Sequence, residues 1–528
     1  MKKYSRWSLP AFIVIASTIW FARLNHPIAT AAQNATLEPT ETAIPLVTPT
    51  LLPSSTPAVR AAVDWSDVSV YKKAMKPGFE GDVDQFVNAN RYLIAATLSF
   101  EQDAIIRGAE RVRFTNHTSQ TLKELVFRLY PNAPALAGQM NVTRVTVGDQ
   151  VVQPSLFQLD SVMSVPLSQP LAQNASVELQ VDFNVVMTQG LDASYGRFGY
   201  VHNVVSGTAW YPTLSVYDEG LGWWKSIPSP AGDPAYTEIG LYDVRLTTPA
   251  DVTVAMSGKE IETTQNTDGT VTHRNVTGPM RDHAFMASKR YTITSIEVNG
   301  TKINAVHYKD PADPNVDGTD DALKYAKFAI QIYSKTFGDY PYAEFDVVQN
   351  PTPTGVEFPG LIQIAERAWR KGSAYLEIVV AHEVGHQWFY AMVGNNQVEH
   401  PWLDESLTSY TEFVYMRAAY PNGSQADDYI QNFQKEYAAF TGGGILDQPL
   451  DLPVSSYSTV AYGAIVYRKG PLFLVELERQ LGGRDVVYKM LSDYFKVYRY
   501  KVATTAGIEK SFEATSGKDL SALFQKWV

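Results

Sequence analysis

The chain of 528 residues contains no cysteine. This absence excludes disulfide bonds, thiolate metal ligands, cysteine nucleophiles and lipid anchors on cysteine. Charged residues are also few, at 19%, and acids outnumber bases to give a net charge of −11. An acidic balance of this size favours solubility and argues against a nucleic-acid partner. With 45% hydrophobic residues the composition is that of a globular protein, and the length suffices for two or three domains.

Residues 1–31 have the features of a targeting segment. Lys2, Lys3 and Arg6 precede a mostly apolar run from Leu9 to Ala22, and Ala29-Thr30-Ala31 offers a small-x-small cleavage site. The run is shorter than the ~20 residues that a membrane-spanning helix needs. A cleaved signal peptide and an uncleaved N-terminal membrane anchor both stay open. Either one predicts an extracytoplasmic protein, secreted or tethered to the membrane, because the basic end remains inside.

The next two segments are predicted to be a linker and a β domain. Residues 32–62 are rich in Thr, Pro, Ala and Ser, which predicts a disordered linker. Residues 63–300 form the next predicted domain, and from about Asn88 to Val298 the apolar period is two, as in the alternation from Val177 to Val185. This pattern predicts an all-β, sandwich-like domain. Strands are predicted at Leu93–Phe100, Leu122–Tyr130, Tyr242–Leu246 and Tyr291–Val298.

Residues 301–528 change to helical periodicity with a small amount of strand. Short strands are predicted at Phe345–Val348 and Leu361–Ala365. Helices are predicted at 322–337, 375–393, 403–420, 426–440, 460–481, 484–498 and 519–527. A small sheet followed by many helices predicts an α+β domain, and the chain as a whole is predicted to be multidomain.

One predicted helix contains the sequence His382-Glu383-Val384-Gly385-His386. Residues four apart lie about 40° apart around a helix, so the two imidazoles can share one metal ion. Glu383 lies about 100° further round, which suits a base acting on a metal-bound water. Eighteen residues separate His386 from Glu405, at the start of another helical pattern. Glu405 is the natural third ligand of a site that keeps one open position.

Five segments in order resemble the M1 family of zinc aminopeptidases, the gluzincins that include leukotriene A4 hydrolase and aminopeptidase N. They are Thr354-Gly355-Val356-Glu357-Phe358-Pro359-Gly360, His382 to His386, Trp402-Leu403-Asp404-Glu405, Tyr410 with Glu412, and Tyr467-Arg468-Lys469-Gly470. The resemblance runs from about residue 90 to the end. It implies the family's N-terminal β domain and thermolysin-like catalytic domain, in a short form without the C-terminal helical domain.

The resemblance also implies a role for each matching residue. One zinc ion would be held by His382, His386 and Glu405, with Glu383 as general base toward the zinc-bound water. Tyr467 would be the second donor to the oxyanion. Glu412 would be the glutamate that supports a metal-bound histidine.

The substrate class depends on the segment around Glu357. In the family this glutamate binds the free α-amine of a peptide, and Gly355 belongs to the same substrate-binding motif. The implied function is therefore an aminopeptidase acting on peptides. Thr354, Val356 and Phe358 depart from the family pattern, which keeps an endopeptidase or oligopeptidase with the same metal centre as an alternative. An epoxide hydrolase has no specific support, and a non-catalytic binding protein is disfavoured because ligands and base are all present. Oligomeric state is not indicated.

Overall fold

The computed structural model describes residues 63–136, 138–190, 192–193, 197–229, 231–310, 316–351 and 353–528. The predicted targeting segment and the predicted linker lie outside these residues, so both stay predictions. Among the described residues, no helix is long and apolar enough to cross a membrane.

The first part of the described chain is built from strands and is called here the β-rich part. Its strands are β1 Asn90–Phe100, β2 Ala104–Thr115, β3 Leu122–Arg128, β4 Gln139–Val147, β5 Gln150–Val152, β6 Ser155–Phe157, β7 Val162–Leu171, β8 Ser176–Met187, β9 Asp192–Ala193, β10 Phe198–Val201, β11 Val204–Gly207, β12 Thr213–Leu214, β13 Tyr217–Asp218, β14 Gly222–Trp223, β15 Gly240–Pro249, β16 Thr253–Met256, β17 Lys259–Gln265, β18 Thr270–Val276 and β19 Phe285–Ser288. Short 3-10 helices lie at Ser69–Ala74, Glu80–Phe86 and Tyr130–Asn132.

These strands form a sandwich-like arrangement of sheets. The largest sheet has the order β17-β18-β15-β1-β2-β8-β4-β5, and a four-stranded sheet has the order β12-β3-β7-β6. Alternate residues of β8, among them Val181 and Phe183, are buried in one core with Phe127 of β3 and Met163 of β7. The period-two pattern thus places every second side chain between the two sheets. A third sheet has the order β16-β19-β11-β10-β9.

A second five-stranded sheet opens the C-terminal part, with the order β20-β21-β22-β24-β23. Its strands are β20 Tyr291–Val298, β21 Thr301–Tyr308, β22 Glu344–Asn350, β23 Val356–Phe358 and β24 Leu361–Ala365. The predicted domain boundary at 300/301 falls in the turn between β20 and β21, two strands of this one sheet. The position of that boundary stays a prediction.

Helices make up most of the remaining chain. They are α1 Thr319–Thr336, α2 Ala374–Gly385, α3 Trp402–Ala419, α4 Gln425–Gly442, α5 Thr459–Ala464, α6 Gly470–Leu481, α7 Arg484–Tyr498, α8 Thr505–Ser516 and α9 Ser521–Trp527. Val454–Ser456 is a 3-10 helix, Ile465–Lys469 is a π-helical segment, and β25 Val393–Gly394 pairs with β26 Lys501–Val502.

The helix predictions are wrong at three places. The helix predicted at 375–393 ends at Gly385, and a turn at residues 386–388 leads to Tyr390, whose φ of 142° no helix accommodates. The helix predicted at 460–481 is interrupted by the π-helical segment. Helix α8 was missed, because Thr505 and Gly507 are weak helix formers and its start depends on a Thr504 side-chain cap.

Helices α2 and α3 lie against each other and are joined by a third element. A Cβ atom at Gly385 of α2 would lie 2.3 Å from Thr411 Oγ1 of α3, so glycine permits the close approach. Tyr333 of α1 donates its hydroxyl toward the carbonyl oxygens of Ala381 and Thr411, at 3.0 and 3.1 Å. The relative position of the two helices is therefore fixed from both sides.

Candidate metal centre

Two histidine nitrogens and one carboxylate oxygen converge between α2 and α3. His382 lies in the last turn of α2, and His386 directly follows that helix. The backbone N–H of His386 donates to the carbonyl oxygen of His382. Glu405 lies in the first turn of α3. The two Nε2 atoms are 3.2 Å apart, and each lies 3.3 Å from Glu405 Oε2. The structure thus brings the three predicted metal ligands together.

The spacing of these three donors suits one zinc ion. Donors about 2.0–2.1 Å from a tetrahedral zinc ion lie about 3.3–3.4 Å from one another. Glu405 Oε2 is buried and has no hydrogen-bond partner among the described residues. A buried carboxylate oxygen without a partner is costly in free energy, and a bound cation would remove that cost. Two imidazoles and one carboxylate are also a donor set of hydrolytic zinc sites.

The second ring nitrogen of each histidine has its own hydrogen-bond acceptor. His382 Nδ1 lies 2.7 Å from Glu412 Oε1, and Tyr429 donates its hydroxyl to Glu412 Oε2 at 2.5 Å. His386 Nδ1 lies 3.1 Å from the carbonyl oxygen of Phe389. These acceptors keep a proton on Nδ1, which leaves the lone pair of Nε2 for a metal ion.

The charges of the site reinforce one another. Burial disfavours the cationic form of His382, but the neighbouring carboxylates of Glu405 and Glu412 outweigh burial and raise the pKa of His382 well above its ordinary value. Burial is also outweighed at His386, where the charge of Glu405 raises the pKa to about 9. In return the histidines lower the pKa of Glu405 in spite of its burial. The carboxylates beside the two imidazoles therefore favour positive charge at this position.

Tyr467 lies beside the three donors, in the π-helical segment. Its hydroxyl donates to Glu405 Oε1 at 2.5 Å, and its ring stacks on His382 with centroids 6.1 Å apart. Burial raises the pKa of Tyr467 well above its ordinary value, so the hydroxyl keeps its proton. The predicted oxyanion donor is thus close to the ligands, and in this structure it donates to one of them.

Glu383 occupies the space beside Gly355. A Cβ atom at residue 355 would lie 2.1 Å from Glu383 Oε1. One carboxylate oxygen of Glu383, one of Glu357 and one ring nitrogen of His386 all lie within 4.8 Å of one another. Burial raises the pKa of Glu383 to about 8, against the opposing effect of His382 and His386. A carboxylate able to exchange a proton near neutral pH therefore lies next to the ligands.

Glu357 of β23 is held by an arginine from the β-rich part. Arg197 Nη2 lies 3.2 and 3.1 Å from the two oxygens of Glu357, and the same nitrogen donates to Asp233. Burial disfavours the charge of Arg197, but Glu357 and Tyr390 outweigh burial and raise its pKa. The predicted amine anchor thus has a cation of the protein as its partner.

Two amide side chains from the loop before α3, Asn395 and Gln397, contact the carboxylates of Glu357 and Asp404. Gln397 Nε2 donates to Asp404 Oδ2 at 2.6 Å and to Glu357 Oε1 at 3.3 Å. Asn395 Nδ2 donates to Asp404 Oδ1 at 2.8 Å. Burial, followed by the charge of Glu405, raises the pKa of Asp404 to about 7. Each oxygen of Asp404 thus accepts one amide hydrogen bond.

Sequence reasoning missed Arg197, Asp233, Asn395 and Gln397. Arg197 and Gln397 are 160 and 40 residues from Glu357 in the sequence, so no local motif contains them. A buried carboxylate requires a partner, and that requirement could have predicted a cation near Glu357. It could not have identified which of the many arginines and lysines supplies the charge.

A comparison with protein families matches residues 322–527 to the description "Peptidase family M1 domain". These matched residues, 322–527, are called here the M1 domain. The M1 domain begins within α1 and includes all three donors together with Glu357, Glu383 and Tyr467. The resemblance predicted from the sequence motifs is confirmed.

Curated relatives match part of the chain at low identity. Aminopeptidase 2 of Candida albicans is 25% identical over 211 residues, which are 38% of this chain and 23% of that protein. Aminopeptidase N of Lactococcus lactis subsp. cremoris is 30% identical over 166 residues, which are 31% of this chain and 19% of that protein. The chain spans about a quarter or less of the length of these relatives.

Solved structures match a larger share of the chain. A mutant M1 zinc metallopeptidase from Deinococcus radiodurans has a TM-score of 0.63 at 18% identity, and the match covers 83% of this chain and 93% of that one. A second structure of the mutant, bound to a Tyr-Ser-Ala substrate, has a TM-score of 0.63 at 16% identity and the same coverage. At these identities the likeness shows the fold. It confirms the predicted fold class, a β domain followed by an α+β domain.

Proposed function

We propose that the M1 domain is a peptidase with one zinc ion held by His382, His386 and Glu405, and that it removes residues from the N-termini of peptides. The observation that carries the proposal is the convergence of two Nε2 atoms on one buried carboxylate oxygen, each at 3.3 Å. The names of the relatives, aminopeptidases and zinc metallopeptidases, support the same assignment.

The residues around the donors have separate tasks in hydrolysis. A zinc ion in this donor set would activate a water molecule and polarise the carbonyl group of the scissile bond. Glu383 accepts the proton of the attacking water and later gives it to the leaving amine, which suits a carboxyl group whose pKa burial raises to about 8. The hydroxyl of Tyr467 donates a hydrogen bond to the carbonyl oxygen as its negative charge grows.

The position of Glu357 favours removal of N-terminal residues. Its carboxylate belongs to a group within 4.8 Å that also includes Glu383 and His386. The α-amino nitrogen and the carbonyl carbon of one residue are only about 2.5 Å apart. An ammonium group bound at Glu357 therefore places the first peptide bond next to Glu383.

One observation favours a second candidate, an endopeptidase. Arg197 already lies 3.1 Å from Glu357, so the carboxylate has a cation before any substrate binds. If Arg197 neutralises the charge of Glu357, the cleft has no preference for a free amine and accepts the interior of a peptide.

Cleavage of one peptide in two forms distinguishes the candidates. The zinc-loaded protein is given a peptide that begins Tyr-Ser-Ala, with a free or an acetylated N-terminus, and the products are identified by mass spectrometry. An aminopeptidase cuts only the free form and releases single residues in order, and Glu357→Gln removes that preference. Internal cleavage of both forms would establish the endopeptidase, and no cleavage of either form would contradict both.

We also propose an extracytoplasmic location, based on the basic and apolar pattern of residues 1–31. The protein would be secreted or tethered by this segment. N-terminal sequencing of the mature protein after cell fractionation tests the proposal. A cytoplasmic chain with an intact N-terminus would contradict it.

A further inference from the structure

Arg197 and Asp233 reach the cleft at Glu357 from outside the M1 domain. Arg197 directly precedes β10, and Asp233 lies between β14 and β15. The segment with Asp233 is fixed to the M1 domain, because the carbonyl oxygen of Ala235 accepts a hydrogen bond from the backbone N–H of Gln397 at 3.3 Å. Both charges are therefore held in place where the β-rich part meets the M1 domain.

One guanidinium group serves two carboxylates in this cluster. Arg197 Nη2 lies within 3.2 Å of both oxygens of Glu357 and also contacts Asp233. The side chain of Arg197 is only 6% exposed, so water screens these charges weakly. A single positive charge offsets a single negative one. Taken together, Arg197 and Asp233 are neutral, and the charge of Glu357 is left for a ligand.

A buried acceptor without a partner adjoins the same cluster. Gln397 is 1% exposed and its Nε2 contacts Glu357, whereas its Oε1 has no hydrogen-bond partner in the described part of the chain. Buried acceptors of this kind are normally paired. A ligand that brings both N–H donors and a positive charge would pair with the carboxylate of Glu357. A primary ammonium group has this chemistry.

We propose that Arg197 and Asp233 form an electroneutral pair that sets the specificity of the cleft for one ammonium group, with Glu357 as its counter-charge. The proposal rests on the proposed aminopeptidase function and identifies two residues that tune its substrate recognition. Without Asp233, the Arg197 guanidinium neutralises Glu357 and repels a substrate ammonium group. When both members of the pair are neutral, Glu357 again faces the ligand with its full charge.

Peptide binding to charge variants tests the pair. The full chain with Glu383→Gln is the parent, because it is expected to bind peptides without cutting them. Calorimetry gives the Kd of Tyr-Ser-Ala and of its N-acetylated form. Adding Asp233→Asn should weaken binding of the free-amine peptide about tenfold or more and leave the Kd of the acetylated peptide unchanged. Adding Arg197→Gln together with Asp233→Asn should restore the Kd to within about threefold of the parent.

A matched control uses Glu476 and the exposed Arg479, which lie 2.7 Å apart on α6. Neutralising that pair should change neither Kd. Parent-like binding by the Asp233→Asn variant would overturn the proposal, as would a double variant that binds as weakly as Asp233→Asn alone. Thermal unfolding shows whether each variant is folded.

If Asp233→Asn does not fold, the single Arg197→Gln substitution decides. It removes the positive charge and should bind the free-amine peptide at least as tightly as the parent does. A tenfold weaker Kd in a folded protein would overturn the proposal. Equal binding of the two peptides by the parent is a different result, since it would contradict the amine anchor and with it the proposed function.

Discussion

The carboxylate of Glu383 fits beside the metal donors because residue 355 has no side chain. The nearest atom to a Cβ at Gly355 would be Glu383 Oε1, at 2.1 Å, followed by the carboxyl carbon at 2.7 Å. No ordinary van der Waals contact is that short, so a side chain here must displace the carboxylate. Gly355 therefore positions the proposed general base, which is a more definite role than the substrate contact implied by the sequence.

We expect Gly355→Ala to lower kcat about 10- to 100-fold, because a shift of about 1 Å in a reacting group costs this much. Zinc content should not change, since no metal donor touches residue 355. Steady-state kinetics and metal analysis measure the two quantities. Gly463→Ala is the control, because a Cβ atom there meets nothing within 4 Å. A kcat within twofold of wild type for Gly355→Ala would contradict this role.

Glu412 supports the metal site through His382. Glu412→Gln keeps the shape of the side chain and removes the charge that accepts from His382 Nδ1 at 2.7 Å. We expect zinc affinity to fall about 10- to 100-fold, as for other acceptors behind metal-bound histidines. Competition with a chelator measures the affinity. Asp451→Asn is the control, because Asp451 pairs in the same way with His400, which is not a donor. Equal effects of the two substitutions would rule out a specific role for Glu412.

At this scale helical spacing and the family motifs predicted the donors, Glu357 and Tyr467, whereas residues outside any motif were missed. His382, Glu383 and His386 are related by helical spacing, and Glu405 and Glu412 by two turns of one helix. Arg197 and Gln397 share no period with Glu357, because the contacts between them arise from packing of separate segments. Helical geometry determines the first set of neighbours, whereas the second set depends on the folded chain.

At the scale of elements, the π-helical segment Ile465–Lys469 presents Tyr467 to the site. It lies between α5 and α6, where the sequence predicted one continuous helix. The wider turn of a π-helix shifts the residues that follow around the axis, and such turns are frequent at functional sites. Periodicity could not reveal the interruption, because five residues are too few to change the apolar pattern of a long helix.

Tyr467→Phe tests what this element contributes. The substitution removes a donor to Glu405 Oε1 and, in the proposed reaction, to the carbonyl oxygen. We expect kcat to fall about 100-fold, with KM within a few-fold of wild type, because the bond matters most as charge develops. Tyr457→Phe is the control, since its hydroxyl donates to the backbone carbonyl oxygens of Pro449 and Leu450. A higher KM with unchanged kcat for Tyr467→Phe would assign the hydroxyl to substrate binding instead.

Strands were predicted more closely than helices. The predicted strands Tyr291–Val298 and Leu361–Ala365 coincide with β20 and β24. The helix predicted from 484 also coincides with α7, because Gly483 and Arg499 limit its apolar period at both ends. By contrast, α2 ends where residues 386–393 pack as a tight irregular turn. Their apolar side chains continue the helical pattern even though the backbone departs from it.

At the scale of the whole molecule, a buried arginine joins the β-rich part to the M1 domain. Arg281 donates to the carbonyl oxygens of Tyr390 and Thr237, at 2.9 Å each, and also to that of Lys501. Burial lowers its pKa to about 10. A Cβ atom at Gly394 would lie 2.1 Å from the guanidinium carbon, so the M1 domain leaves space for this one side chain. The two parts thus support the site jointly.

A neighbouring histidine makes stability depend on pH. His283 lies among Asn275, Trp210 and Tyr242, and burial lowers its pKa to about 3 from an ordinary 6.5. The unfolded chain therefore binds the proton first. The contribution of His283 to the free energy of unfolding is full above pH 6.5. It is lost as pH falls toward 3, by up to about 1.4 kcal/mol per pH unit.

His283→Asn should remove this component of the pH dependence. Denaturant unfolding at pH 7 and pH 5 gives the loss of stability on acidification for each protein. We expect that loss to be smaller in the variant by about 2 kcal/mol, the integral over the titrating range. Identical losses in the two proteins would show that His283 is not a buried neutral group.

The central claim is that His382, His386 and Glu405 hold a zinc ion at which Glu383 acts as base. The most direct measurement is zinc per chain together with peptide turnover, for wild type, Glu383→Gln and Glu405→Ala prepared alike. We expect about one zinc ion in wild type and in Glu383→Gln, with turnover of the latter lowered about 10²- to 10⁴-fold. Glu405→Ala should lose both zinc and turnover. Wild-type turnover by zinc-loaded Glu383→Gln, or full zinc in Glu405→Ala, would contradict the account.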